Sequence, residues 1–273
     1  MLPTIHMFWH GPPLSRVERL SIASFVHHGH PVELHAYEEI ANLPAGVTLR
    51  DAAAVLPFSA LYTHRRSGSL APFADWFRYR LLATRGGIWA DMDMVCLRTL
   101  DYDDPVVMGW VDGREINNAL LGLPAGDSLA ECMAMCCEQP NQWRSWDTLG
   151  RRMRKLRRRL LHPQARERVR WSENGPRGLT LAARHLGGYI ERALPVEDLY
   201  PVSFADWRSM FTSQASDPAW MTRSHAVHLW NNNLRREPGY DKNAPFSPDT
   251  PYERLCQRYL PADAVAQPLA AAG

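Results

Sequence analysis

Arg85-Gly86-Gly87-Ile88-Trp89-Ala90-Asp91-Met92-Asp93-Met94-Val95 decides how this 273-residue chain is read. The Gly-Gly pair stops a preceding helix, Ile88-Trp89-Ala90 reads as a short buried strand, and two aspartates follow one residue apart. Neighbouring side chains on a strand point to opposite faces, so these carboxylates converge only if the chain turns there. With a turn, Asp-X-Asp offers hard oxygen ligands to Mg²⁺ or Mn²⁺ and leaves room for phosphate oxygens, which suits a diphosphate ester. A pair of solvated turn aspartates is the competing reading of the bare motif.

Working outward, Ser69 can cap a helix over residues 70–85, with Pro72 tolerated in its first turn. Asp75 and Arg78 stand at i and i+3 on that helix, so they share one face and can reach one ligand. Nearer the amino end, residues 4–10 read as a buried strand stopped by Gly11-Pro12-Pro13. Residues 14–28 carry Val17, Leu20, Ser21 and Phe25 at helical spacing, and residues 32–37 alternate like a strand. Strand, helix and strand in that order open a nucleotide-binding α/β sheet. Residues 42–67 are less legible. Further strands are expected at 106–111, 116–121 and 225–230, and helices at 128–138, 146–161 and 179–186.

The length fits one large α/β domain, expected over residues 1–260, and the Ala- and Pro-rich stretch 261–273 is expected to be a mobile tail. No leader-like segment opens the sequence, no apolar run is long enough to span a bilayer, and five cysteines show neither metal-ligand spacing nor a disulfide framework. A reducing cytoplasm is therefore the expected compartment. The net charge of +2 hides an asymmetry: residues 151–170 hold ten Arg or Lys and one acid, leaving 21 basic against 28 acidic residues elsewhere. That run reads as a basic helical insertion around residues 146–170, and its one-sign density suits an anionic partner such as the inner membrane face. No nucleic acid is expected as partner.

Residues 71–93, with Ala-x-x-x-Asp-x-x-Arg-Tyr, a helix, then Gly-Gly-Ile-Trp-x-Asp-x-Asp, resemble the sugar-binding region of glycosyltransferase family 32. Relatives there include α-1,4-galactosyl and N-acetylglucosaminyl transferases, yeast mannosyltransferases and, more distantly, the glucosylating domains of clostridial toxins. The resemblance implies a GT-A fold, with a mixed, mostly parallel nucleotide-binding sheet flanked by helices. It also implies that Asp91 and Asp93 hold a divalent metal under the donor's diphosphate, and that Asp75 and Arg78 contact the donor sugar and its ribose or phosphate.

Ile5-His6-Met7-Phe8-Trp9-His10-Gly11 resembles the family's first strand, which implies that Trp9 stacks on the nucleotide base; Phe8 stands beside it, with core packing the favoured reading. Asn117 and Asn118 match an Asn-Ala strand near the sugar or acceptor. Gly175-Pro176 is similar to a later element where Glu173 or Asn174 faces the acceptor. His228-Leu229-Trp230 resembles the element that closes the site, with His228 as a third metal ligand, Trp230 against the diphosphate and His225 as the competing histidine. Trp89 departs from the usual Tyr, so its indole N–H would replace a hydroxyl contact to phosphate.

The expected reaction moves a hexose, with retention, from a UDP-sugar to a hydroxyl of a glycan, lipopolysaccharide or capsule precursor. Asp75, Arg78, Asp91, Asp93 and Asn118 form the expected catalytic set, with Mn²⁺ or Mg²⁺ as cofactor. Two rivals use the same residues differently. Asp91-Met92-Asp93-Met94-Val95 also fits the Asp-x-Asp-x-Val strand end of haloacid-dehalogenase-type phosphatases, which need a later Lys; Lys155 and Lys242 are the only ones. The arginine run alone suggests a nucleic-acid or membrane-surface binding module.

Overall fold

Apolar side chains that alternate along one strand must be covered on both faces, and the first strand of this protein shows how. In the computed structural model, which describes residues 1–163, 166–237 and 239–260, β1 (Ile5–Trp9) sends Ile5 and Met7 into one core and Phe8 into another. Helix α1 (Arg16–His27) covers the first face with Ile22 and Phe25, and its Ser15 and Glu18 form a capping box at the N-terminus. Strands β2 (Val32–Ala36) and β3 (Val47–Asp51) then add in parallel to one side of β1.

Helix α2 (Ala71–Arg85) covers the opposite face with Phe73 and Phe77. Its N-cap is Leu70 and not the expected Ser69, although the Ser69 hydroxyl accepts the Ala71 N–H at 3.1 Å just ahead of the helix and Pro72 occupies the first turn as expected. It ends at Gly86, and β4 (Gly87–Ala90) pairs in parallel with β1. Gly87 has φ +96°, and a Cβ there would lie 2.9 Å from the Thr4 carbonyl oxygen and 2.9 Å from His6 Nε2, so glycine is required. β4 places Ile88 and Ala90 in the α1-side core and Trp89 in the α2-side core.

After β5 (Met94–Cys96), β6 (Val107–Trp110) and β7 (Ile116–Leu123) complete a six-stranded sheet in the order β3-β2-β1-β4-β7-β6. β7 runs antiparallel to β4, with Ala90 opposite Leu120. Its amino end therefore lies beside the carboxyl end of β4, which brings Asn117 and Asn118 next to the Asp91 turn. Helices α3 (Ser128–Glu138), α4 (Leu149–Leu161) and α5 (Pro176–Leu186) follow, then three single-turn helices, α6 (Val196–Leu199), α7 (Trp220–Arg223) and α8 (Asn231–Leu234). Between the last two, β8 (Ala226–His228) pairs antiparallel with β5 as a separate two-stranded sheet, and α9 (Pro251–Tyr259) packs against α1 across Val17, Leu20, Tyr252 and Leu255.

This is the mixed, mostly parallel sheet flanked by helices that the sequence implied. The expected basic helix is α4, whose Leu149, Met153, Leu160 and Leu161 are exposed among its arginines. The tail expected at 261–273 lies outside the described residues. Among the described residues no helix is long and apolar enough to cross a membrane.

Candidate active site

The convergence that Asp-X-Asp requires is supplied by a turn. The Met94 N–H donates to the Asp91 carbonyl at 2.9 Å, closing a tight turn between β4 and β5, and Asp91 N–H is held by the Ala119 carbonyl of β7 at 2.7 Å. Burial raises the Asp91 carboxyl above the usual range, Arg78 opposes that, and the neighbouring Asp93 charge adds to the rise.

Asp91 is oriented from below. Its Oδ1 accepts from the Arg78 guanidinium at 2.7 Å and from the Trp89 indole N–H at 2.7 Å. Arg78 is nearly inaccessible, donates also to the Asn118 carbonyl, lies 3.7 Å from Asp75 and stacks over the Trp89 ring at 4.9 Å. Asn118 in turn donates to Asp75 Oδ1 at 2.7 Å and to the Tyr79 hydroxyl at 3.0 Å. Asp75, Arg78, Asp91 and Asn118, which the sequence reading grouped, thus form one continuous network. Burial dominates at Asp75 and pushes its carboxyl up to about 6, against the opposing pull of Arg78 and Asn118.

Asp93 is oriented from the side by the small sheet. β8 sets His228 opposite Met94, so His228 Nε2 lies 3.2 Å from Asp93 Oδ1, while the Asn231 backbone N–H donates to Oδ2 at 3.0 Å. Burial works to raise the Asp93 carboxyl, but His228 and Asn231 overcome it and hold it below the usual range. His225 is not a competitor: its Nδ1 is tied to Asp198, away from the aspartates. Trp230, in the left-handed region at φ +53°, has its ring 4.0 Å from that of His228 and gives its N–H to the Val202 carbonyl.

The donor set suits a hard divalent cation. Asp91 Oδ2 has no partner among the described residues and Asp93 Oδ1 lies 3.2 Å from His228 Nε2, although Asp91, Asp93 and His228 do not all stand within ligand distance of one common ion here. His228 Nδ1 is buried without a hydrogen bond among the described residues, so it lacks the neighbour that ordinarily orients an imidazole bound to metal through Nε2.

The remaining expected residues are distributed around this turn. Trp9 ends β1 half-buried, with its N–H on the Pro12 carbonyl at 2.8 Å and the Lys242 ammonium 5.7 Å from its ring. Phe8 is core, 4.7 Å from the Phe77 ring. Asn117 Oδ1 accepts from the Ala119 N–H, so its side chain stabilises the start of β7. Trp89 is buried, with its only polar atom committed to Asp91. Tyr79 and Asn231 are site residues the sequence reading missed. Tyr79 follows Arg78 in the quoted motif, a signal that was present; Asn231 acts through its backbone, which no sequence pattern reveals.

The phosphatase rival needs a lysine at the aspartates, but Lys155 pairs with Asp147 and Lys242 with Glu18. Among the described residues the one trio of ligand-bearing side chains close enough to share an ion is His6, Glu33 and His35, at the opening of β4 instead of its end. Arg50 and Arg85 already balance Glu33 there.

Residues 35–110 match the family model described as a glycosyltransferase sugar-binding region containing the DXD motif, and residues 167–262 match the α-1,4-glycosyltransferase conserved region. The chain is a glycosyltransferase, similar over these regions to enzymes of the family 32 type. A curated relative, lactosylceramide 4-alpha-galactosyltransferase of Pongo pygmaeus, is 26% identical over 167 residues, covering 59% of this chain and 68% of that protein. Among solved structures, the PaToxG glycosyltransferase matches with a TM-score of 0.45 at 13% identity, over 68% of this chain and 69% of that one. The WbbM bifunctional glycosyltransferase matches at 0.34 and 12% identity, over 95% of this chain and 52% of that one. At these scores the likeness adds nothing to the fold read from the sheet itself. For a glycosyltransferase with a DXD region, a divalent metal, a nucleotide-sugar donor and a glycan acceptor follow in general terms.

Proposed function

We propose that this glycosyltransferase moves a hexose, with retention of anomeric configuration, from a UDP-sugar to a hydroxyl of a glycan, lipopolysaccharide or capsule precursor, in a reaction dependent on Mn²⁺ or Mg²⁺. We assign the reaction to a single catalytic domain over residues 1–260, working in a reducing cytoplasm.

The observation that carries the reading is the fixed pair of carboxylates at the end of β4, each held by separate partners before any ligand arrives. Asp91, Asp93 and His228 would hold the metal, which when bound neutralises the charge that develops on the leaving diphosphate. Asp75 lies on the far side of Asp91 and binds the donor sugar's hydroxyls, held by Asn118, while the buried Arg78 positions Asp91 and balances Asp75. Trp9, at the carboxyl end of β1, offers the base a ring face, and Trp230 closes over the aspartates from the β8 side. Among the described residues no serine, cysteine or lysine side chain is bonded to the Asp91 carboxylate. That agrees with a front-face reaction in which the leaving phosphate receives the acceptor's proton.

The test is a screen of nucleotide sugars for hydrolysis and thermal stabilisation with Mn²⁺, with Mg²⁺ and with EDTA. UDP-galactose comes first, since the curated relative is a galactosyltransferase. Metal-dependent turnover of one UDP-hexose supports the reading. Turnover undiminished by EDTA, or of phosphate esters alone, overturns it.

A further inference from the structure

Beyond the aspartate turn, α3, α4, α5 and the segment before α5 enclose a cavity of about 60 Å³ whose lining includes five arginines and a lysine. Both acids that line it are already neutralised: Asp147 by Lys155 at 2.7 Å, and Glu173 by a forked pair of bonds from Arg158. Arg144, also on the wall, is spent on the carbonyls of Met135 and Gln139 at the end of α3. Arg151, Arg154, Arg170 and Arg177 line the same cavity and have no carboxylate partner among the described residues. These four guanidinium groups gather positive charge about one opening, and their flat donor arrays match phosphate and carboxylate oxygens two at a time.

The cavity lies next to the donor carboxylates. Asn174, a wall residue, accepts the Tyr79 hydroxyl at 3.0 Å through its carbonyl, and that same hydroxyl receives the Asn118 side chain that holds Asp75. The next residue, Gly175, approaches so closely that a Cβ there would stand 3.4 Å from Asp75 Oδ2. Ser172, just before them, is held at φ +63°, a conformation kept only where the surroundings enforce it. Residues 172–175 thus form a thin partition with arginines on one side and Asp75 on the other. The cavity has space for about four waters, enough for an oxyanion group but not for a sugar ring. The ring would lie at the mouth, where the Trp171 side chain is exposed.

We infer that this cavity is an acceptor subsite for an anionic sugar: Arg151, Arg154, Arg170 and Arg177 grip a phosphate or carboxylate group, Trp171 carries the ring, and the acceptor hydroxyl is delivered across Gly175 to the donor. The inference rests on the proposed transfer at Asp75 and Asp91, but its binding step can be read without any transfer.

The probes are methyl glucoside 6-phosphate, methyl glucuronide and neutral methyl glucoside, titrated against the whole protein by NMR, alongside flotation with vesicles rich in phosphatidylglycerol. The wild-type protein is expected to bind at least one anionic probe and not the neutral one, with the better of the two identifying phosphate or carboxylate. Arg154→Glu/Arg177→Glu, two exposed positions whose exchange leaves the fold alone, is expected to weaken that binding roughly tenfold or more while metal-dependent donor hydrolysis is unchanged. Arg154→Lys/Arg177→Lys should recover part of the loss. Equal or absent binding of all three sugars overturns the inference, and so does vesicle binding without sugar binding, which would make the arginines a membrane contact. If the wild-type protein hydrolyses no nucleotide sugar yet binds the anionic probes, the proposed function fails and the subsite stands.

Discussion

Asp75 sits in a place that suits function better than stability. Its carboxyl is raised from 3.8 to about 6, mainly by burial, so the folded protein binds a proton there that the unfolded chain releases. The stability this contributes is complete below about pH 4 and is lost as pH rises through 6. Asp75→Asn removes the penalty, so it is expected to stabilise the protein at pH 8 by up to about 3 kcal/mol, to be near neutral at pH 4, and to cut transfer severely. Denaturant melts at the two pH values and a transfer assay check this. His228 gives a second expectation. If its Nε2 is a metal ligand, His228→Ala weakens metal affinity and lowers turnover together, and raising Mn²⁺ partly restores the rate. A variant with unchanged metal dependence would confine His228 to its hydrogen bond with Asp93. At this scale the sequence reading was strong where a motif fixes spacing, as for Asp75, Arg78, Asp91 and Asp93. It missed the destination of the Trp89 N–H because that contact depends on how the chain turns after β4.

The element that matters most is the segment from α2 through β4 into the turn, and its geometry depends on glycine. Gly87→Ala would force a side chain into the left-handed region and against the Thr4 carbonyl and the His6 ring. A loss of about 1–3 kcal/mol is expected, with weaker metal-dependent activity because β4 carries Asp91. A thermal melt near that of the wild type would contradict it. Long periodic elements were legible: the helix expected at 128–138 is α3, and those expected at 70–85 and 146–161 differ from α2 and α4 only at their starts. Short elements were not. β3 lies in the illegible stretch, and β5 spans three residues, too few for alternation to register. The antiparallel placement of β7 beside β4, which brings Asn118 to Asp75, is a long-range pairing that no local pattern encodes.

Across the whole molecule, the sheet that carries the site is also an acid-labile structure. His6 and His35 are buried side by side between β1 and β2, and burial lowers them from 6.5 to about 4 and about 3. Both are neutral in the folded protein at pH 7. The stability they contribute is present above pH 6.5 and is lost as pH falls through 4 and 3, because the unfolded chain takes up protons first. A drop of a few kcal/mol between pH 7 and pH 4.5 is expected in urea melts, and His35→Gln should flatten it. A profile level over that range would show that the pair is not kept neutral. The same architecture, with parallel strands ending at one edge and an antiparallel strand returning beside them, gathers Asp75, Asn118, Asp91 and Asp93 from distant parts of the chain. The most direct test of their joint role is calorimetric titration of UDP-galactose into the wild-type protein and into Asp93→Ala, each with Mn²⁺ and with EDTA. The expected result is binding by the wild-type protein in Mn²⁺ that disappears with EDTA and in the variant, whose thermal melt stays intact. Equal binding in all four titrations would contradict a metal held between Asp91 and Asp93.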